Sequence, residues 1–474
     1  MTNSRLQSIL HSPLLIVVLI WTLIATGVML RSYRADLFPI DNNDDGLYYV
    51  WAGTSFLHNP FQVRSHTIFD NGNKALFWRA QYQDYIPHLR FGMKITQPWF
   101  DHPPFGTILI GLPAYLLGYN QVEQIPHMIV RYPSIIASIF TLGLTYLLAK
   151  KVTHQKTALF SLFFLSTVPY FVFAHRQSYL ENMLTPIFLA SAVSYLFYQE
   201  HRSTKTLLIS AAFAFLCGWI KIPAFGIPIL FTSWAIYTKD KQAIKVFALT
   251  SVLSVVSYLL YGLIADKNFF LDTLTNQGVR GMYLSSFVYS FVKPMFYGEF
   301  MDGQYILGLL WSFALLLKKD KTKNETFFSW LFMGWIMILF FVSGKNNNSP
   351  WYRYPLIPFM SIGLGSVASS LWEKRSVFLA AVFLVFSLSG FDLAGINFGS
   401  SLLRFTILLV FAPFVLFFLF PKNPITRKLS HVGVLALLLL VLVGNLLAIK
   451  RYPFERCQNE DCLLPTQIIL KDTQ

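Results

Sequence analysis

The sequence predicts an all-α polytopic membrane protein with about thirteen transmembrane helices. Three observations carry this. The chain of 474 residues is 54% hydrophobic and only 13% charged, with a mean hydropathy of +0.50. Apolar runs of spanning length recur from Leu14 to Ile449. Basic residues cluster in every second loop between those runs, as the positive-inside rule requires of a multi-pass protein.

The first apolar run, Pro13–Leu30, is long for a signal-peptide core and lacks a convincing cleavage site, so it reads as a retained anchor. A polar stretch follows at 31–104. It holds seven basic residues and seven aspartates, with aromatics scattered among polar residues, as in Leu76–Phe91. That texture predicts amphipathic helices lying at headgroup level rather than a free soluble domain. The apolar piece Phe105–Tyr119 is short and interrupted by Gly111 and Pro113. Twelve runs come next: Met128–Ala149, Thr157–Ala174, Leu180–Tyr198, Thr206–Ile220, Ile222–Tyr237, Ala243–Ala265, Gln304–Leu317, Thr326–Ser343, Tyr354–Leu371, Val377–Gly390, Leu402–Phe420 and His431–Ile449.

The basic clusters are Lys150/Lys151/Lys156, Arg202/Lys205, Lys239/Lys241/Lys245, Lys318/Lys319/Lys321/Lys323, Lys374/Arg375 and Lys422/Arg427/Lys428. Placing them inside puts Phe173–Asn182, the Lys221 junction, Asp266–Gly303, Gly344–Arg353 and Gly390–Ser401 outside. Parity then leaves room for one crossing between the aspartate-rich loop and Lys150. Phe105–Tyr119 is therefore expected to be re-entrant or interfacial, with the N-terminus inside and the tail outside. The charge near the first span fits less well, because Arg31 and Arg34 fall on its outer side and only Arg5 on its inner side. The expected organisation is a membrane module over 1–375, further spans over 376–449 and a short extracytoplasmic tail over 450–474.

Net charge is +15. Lipid headgroups and topology account for it, and no basic–aromatic patch, zinc-finger spacing or phosphate-binding loop points to nucleic acid. Three cysteines are too few for a disulfide framework. Cys217 reads as packing, whereas Cys457 and Cys462 could pair if the tail is extracytoplasmic.

With this topology the remaining ionisable residues gather on the outer side. Asp41, Asp44 and Asp45 lie in DNNDDGLYY, where each acid disfavours ionisation of the next. They suit a catalytic carboxylate, or equally a solvated turn and helix cap. Glu181, in HRQSYLENM, falls in the first turn of a run, where the helix dipole alone would favour it. Lys221 stands between two apolar stretches in GWIKIP, a costly place unless it reaches water or an anion. Asp101, His102, His175, Arg176, Asp266, Arg280, Glu299, Asp302, Lys345 and Arg353 complete the set. Carboxylates and cations together at a membrane boundary suit an anionic lipid-linked substrate, with cations on a phosphate and a carboxylate as base. No HExxH and no close histidine pair favours a metal, although Asp44, Asp45 and His102 could hold one.

The order DDGLYY, HPP, RYPS (Arg131–Ser134), HRQSYLE, GWIKIP and WYRYPLIP (Trp351–Pro358) resembles the C-type glycosyltransferases, nearest the protein O-mannosyltransferase and lipid A aminoarabinose transferase branch. The resemblance covers residues 40–360. It implies transfer of a sugar from a polyprenyl-phosphate donor to a protein, lipid or glycan acceptor on the outer face, with inversion, in a prokaryotic plasma membrane. It implies Asp44 as base or acceptor-orienting group, with Asp45 standing where the family has Glu, and Glu181 as a second acid near the acceptor or the sugar. It implies substrate contacts from Tyr48, His102, Lys221, Tyr352 and Arg353, with Tyr354 in the same aromatic segment. Lys221 follows Ile220 where the family pattern has Thr. Arg176, Arg280 and Lys345 join the substrate-binding set as outer-face cations. No cofactor is implied, and a catalytic divalent metal is not favoured. The other classes open to this sequence are a lipid-linked glycan ligase or polymerase, and a transporter or flippase. A transporter would place paired charges at mid-membrane and show inverted repeats.

Overall fold

The computed structural model describes residues 13–36, 39, 45–67, 76–78, 93–119, 125–278, 283–292, 302–342, 350–396 and 401–456. The chain opens with helix α1 (Pro13–Ser32) and then α2 (Asp45–His58), which follows the acidic run. Strands β1 (Ser65–His66), β2 (Leu76–Trp78) and β3 (Met93–Thr96) form an antiparallel sheet in the order β1-β3-β2. Ser65 pairs with Thr96 and Leu76 with Ile95. Leu76–Trp78 is thus a strand, where an amphipathic helix was expected. Pairing with β3 satisfies its backbone.

Helix α3 (Pro104–Leu116) is followed by α4 (His127–Val152). The run Thr157–Ala174 divides into α5 (Gln155–Thr167) and α6 (Pro169–Ala174), because Val168 precedes a proline and is extended. Then come α7 (Leu180–His201), α8 (Thr204–Gly218), a 3₁₀ turn at Ile222–Phe225 and α9 (Gly226–Tyr237). Helix α10 (Lys241–Gly278) is broken at Asp266, whose carboxylate accepts from the Phe269 amide at 3.0 Å and so restarts the helix. The chain continues with α11 (Leu284–Val292), α12 (Gly303–Leu317) and α13 (Lys323–Val342). A 3₁₀ turn at Pro350–Leu356 leads into α14 (Ile357–Lys374), α15 (Val377–Ser387), α16 (Ser389–Leu393), α17 (Ser401–Leu419) and α18 (Pro424–Arg456).

Among the described residues, seven helices are long and apolar enough to cross a membrane, and six shorter apolar helices stand with them. The protein is an integral, multi-pass membrane protein. Helix α1 is the least enclosed, with only 11% of its apolar window buried, as a lipid-facing first span should be. Helix α3 has 13 residues. At about 1.5 Å per residue it is too short for a hydrocarbon core of about 30 Å.

The basic loops meet at one end of the bundle. Lys151 pairs with Glu200 at 2.5 Å, Lys156 with Glu373 at 3.1 Å and Arg202 with Asp240 at 2.5 Å. The Asn324 side chain donates to the Lys151 carbonyl at 2.8 Å. Arg131 and Glu181 open α4 and α7, whereas Lys151 and Glu200 close the same helices. Twenty residues of helix separate the ends by about 30 Å. Ionisable residues of the two kinds are thus sorted to opposite ends.

The C-terminal helices dock through a reciprocal amide pair. Gln304 Nε2 donates to Asn445 Oδ1 at 2.5 Å, and Asn445 Nδ2 to Gln304 Oε1 at 3.2 Å, both residues fully buried. In an apolar bundle such a pair satisfies both amides at once.

Helices α2 and α3 approach backbone to backbone through Gly53 and Gly111. A Cβ on Gly53 would lie 1.9 Å from the Thr107 carbonyl oxygen. We expect Gly53→Ala to push the two helices apart and destabilise the fold by about 1–3 kcal/mol. A thermal midpoint in detergent equal to wild type would refute this contact.

Candidate active site

Two interruptions of the helical bundle create the site. The first is GWIKIP. Helix α8 ends at Gly218, Lys221 is extended (φ −153°, ψ 138°), and Pro223 starts the 3₁₀ turn that leads to α9. A break inside a membrane frees backbone groups that must be paired again. Here the Trp219 carbonyl accepts from the Phe105 amide at 2.9 Å, so the HPPFG segment is fastened to the break. The second interruption is the loop 175–179 between α6 and α7, buried throughout. Ser134 Oγ of RYPS donates to the Gln177 carbonyl at 2.7 Å, and Ser178 Oγ donates to the Val130 carbonyl. Asn182 Nδ2 donates to the carbonyls of Ala174 at 2.8 Å and Gln177 at 2.5 Å.

The two interruptions place a cation against an anion. Lys221 Nζ forms an ion pair with Glu181 Oε1, and the two side chains are 2% and 0% exposed. The Lys221 ammonium also sits 3.9 Å from the centroid of the Tyr352 ring. Glu181 Oε2 is buried and accepts no hydrogen bond among the described residues. Leu180 and Ile220, the neighbours of this pair, press on Gly106: a Cβ there would lie 2.7 Å from Leu180 Cδ2 and 2.8 Å from Ile220 Cγ2. Only glycine lets the segment after His102 come this close.

His102 faces α2. Its Nε2 is 3.4 Å from the Tyr49 hydroxyl, and its ring is edge-on to Tyr49 at 5.7 Å and Trp99 at 5.9 Å. The adjacent Asp101 accepts from Thr67 Oγ1 through both carboxylate oxygens at 2.9 Å, and its carbonyl accepts from Gln277 Nε2 at 2.6 Å. These bonds fix the turn that carries His102. The WYRY turn closes the opposite side. Trp351 stacks on Tyr179 at 4.6 Å, the Tyr354 hydroxyl donates to Gln177 Oε1, and Trp335 Nε1 donates to the Tyr352 carbonyl at 3.1 Å.

The fold has solved counterparts. ArnT from Cupriavidus metallidurans bound to undecaprenyl phosphate superposes over 92% of this chain and 77% of its own, with a TM-score of 0.57 and 13% identity. The same protein in the apo state gives 0.55, with 14% identity over 92% of this chain and 76% of its own. This is the C-type glycosyltransferase fold. A family model described as dolichyl-phosphate-mannose-protein mannosyltransferase matches residues 101–262. The matched segment begins at Asp101 and includes HPP, RYPS, HRQSYLE and GWIKIP; DDGLYY and WYRYPLIP lie outside it. An uncharacterized protein of Aquifex aeolicus (strain VF5) is 25% identical over 294 residues, 60% of this chain. The match spans 56% of that relative's length.

Within this C-type frame the sequence-predicted residues divide. Glu181, Lys221 and Tyr352 come together, with the HPP segment of His102 packed alongside. Tyr48 is buried, its ring 4.4 Å from that of His66 and its carbonyl accepting from Ser65 Oγ at 2.8 Å, while its neighbour Tyr49 is the residue that reaches His102. Arg176 turns towards α1: its Nη2 donates to the Leu30 carbonyl at 2.6 Å, and its guanidinium lies 4.8 Å from the Phe173 ring. Arg353 is 2% exposed and donates to the Ser290 carbonyl at 2.7 Å. Asp44, Arg280, Lys345, Cys457 and Cys462 lie outside the described residues; Asp45 begins α2.

The sequence reading passed over Tyr49, Tyr179 and Trp351, which sit in the same motifs and carry the aromatic contacts. It also passed over Arg31 and Arg131, buried with Arg176 near the end of α1. Arg31 donates to the carbonyls of Gly27 at 2.9 Å and Leu165 at 2.7 Å. Burial, and then the positive Arg31 beside it, hold the His175 imidazole down to about 3, so it is neutral.

The buried pair makes a direct prediction. Lys221→Met leaves Glu181 without its partner and is expected to destabilise the protein by about 3–5 kcal/mol. The double variant Lys221→Met/Glu181→Gln should regain most of that loss. Equal thermal midpoints for the single and double variants would show that the pair is not the source of the cost.

Proposed function

We propose that the chain is an inverting glycosyltransferase that takes a sugar from a polyprenyl-phosphate donor and passes it to an acceptor on the extracytoplasmic face of a prokaryotic plasma membrane. The observation that carries this is the buried Lys221–Glu181–Tyr352 group beside the HPP segment, at the end of the bundle away from the basic loops. A prenyl-phosphate sugar is already activated, because its phosphate is the leaving group, so no nucleotide is required. Asp44 takes the proton from the acceptor nucleophile as that atom attacks the anomeric carbon. The bond from that carbon to the phosphate oxygen breaks on the opposite face, and its electron pair leaves with the phosphate. Attack opposite the leaving group inverts the centre. Lys221 and His102 stabilise the departing anion, and the apolar bundle lets those charges act in a low dielectric. Glu181 holds Lys221 in place. Tyr48, Arg280 and Lys345 complete the substrate-binding set. The membrane supplies the donor lipid, and the acceptor class is protein, lipid or glycan.

The test uses the purified chain in lipid with a polyprenyl-phosphate sugar, and follows the product by mass spectrometry and its anomeric configuration by nuclear magnetic resonance. Asp44→Asn is expected to lower kcat by about 10²–10⁴, with the donor KM little changed. A wild-type rate in that variant would remove Asp44 as base, and a product that retains configuration would remove the single-displacement mechanism. Because Lys221 supplies the positive charge, prolonged EDTA treatment should leave the rate unchanged. A loss restored by a divalent ion would assign leaving-group stabilisation to a metal.

A further inference from the structure

The WYRY turn has 3₁₀ geometry, in which successive side chains point about 120° apart and residues three apart share a direction. Trp351 and Tyr354 accordingly face the same way, onto Tyr179 and Gln177 of the loop before α7. Arg353 takes the second direction. Its Nη1 donates to the Ser290 carbonyl of α11 at 2.7 Å. Its guanidinium carbon lies 5.5 Å from the Tyr170 ring of α6 and 5.2 Å from the Tyr305 ring of α12. Those rings are 4.3 Å apart and are themselves held. The Asp302 carboxylate accepts from the Tyr170 amide at 3.1 Å and the Gln304 amide at 2.9 Å, and the Tyr305 hydroxyl donates to the Phe291 carbonyl at 3.1 Å. Fixing two of the three directions of the turn leaves Tyr352 only the third, over Lys221.

We propose that Arg353 is a positioning residue: it locks the WYRY turn so that the Tyr352 ring caps the Lys221 ammonium. The ring covers one side of the ammonium with its negative face and supplies attraction without consuming an N–H donor. The geometry stands by itself, and only its kinetic consequence rests on the transferase proposal.

Two readouts test it, one of which needs no activity. In lipid-embedded protein, modification of Lys221 by a small amine-reactive reagent is followed by peptide mass spectrometry. Tyr352→Ala and Arg353→Met should each raise its rate about tenfold, the scale of a desolvated cation–π contact. Tyr352→Phe keeps the ring and should leave the rate at wild type. Arg353→Lys keeps the charge without the fork and should fall between, and it serves where Arg353→Met does not fold. In the transfer assay, kcat/KM of the double variant Tyr352→Ala/Arg353→Met should equal that of Tyr352→Ala alone. Losses that multiply would place Arg353 on the substrate and overturn the proposal, as would wild-type Lys221 labelling in both Arg353 variants. If the wild type transfers no sugar while labelling behaves as expected, the transferase reading fails and the positioning role stands.

Discussion

The Lys221–Glu181 ion pair is the constraint around which the bundle is arranged. Two opposite charges removed from water repay their desolvation only when geometry and further contacts are good. Each stands at an interruption, Lys221 where α8 gives way to α9 and Glu181 in the first turn of α7. Interruptions expose backbone groups in turn. The Trp219 carbonyl is taken by the Phe105 amide, and the Gln177 carbonyl by Ser134 and Asn182. The HPP and RYPS motifs thus satisfy the breaks that the ion pair requires, and Gly106 permits the close approach.

The two ends of the bundle use charge differently. At the basic end the pairs are partly exposed, with Lys156 at 43% and Glu373 at 49%, and exposed pairs of this kind contribute about 0–1 kcal/mol. Their weight lies in orientation, since lysines and arginines in short loops hold those loops on one side. At the other end, among the described residues, Lys221 and Glu181 are buried and paired with each other.

Much of the fold was legible in the sequence. The apolar runs gave most helices to within a few residues, because a membrane demands both length and low charge. The break at Lys221 separated two runs and basic clusters marked alternate loops, whereas the division at Pro169 was hidden inside the single run Thr157–Ala174. Lys221 stood out because a lysine between apolar stretches needs a reason. Its partner did not stand out, since Glu181 lies forty residues away and fits a helix-dipole explanation equally well. The small sheet was also hidden, because β1 and β2 are two and three residues long and no period can be read from that. The roles within WYRY were hidden for a different reason. The resemblance implies substrate contact for Tyr352 and Arg353 alike, yet a 3₁₀ turn sends adjacent side chains to different neighbours.

The motifs are far apart in sequence and fastened to each other in space. Arg131 of RYPS donates to the carbonyl of Pro39, two residues before Asp41, across 92 residues. Ser134 of the same motif holds Gln177 across 43 residues, and Gln177 accepts from Tyr354 across 177. The approach to the acidic run, the loop before Glu181 and the turn that carries Tyr352 are therefore one connected body. Arg31, Arg131 and Arg176 are buried within it, and the bonds seen for Arg31 and Arg176 include backbone carbonyls of α1 and α5. Residues connected in this way do not contribute independently. A substitution in RYPS acts on Glu181 through Gln177 without touching it, so the order of motifs along the chain reflects a shared set of carbonyls and hydroxyls rather than separate sites.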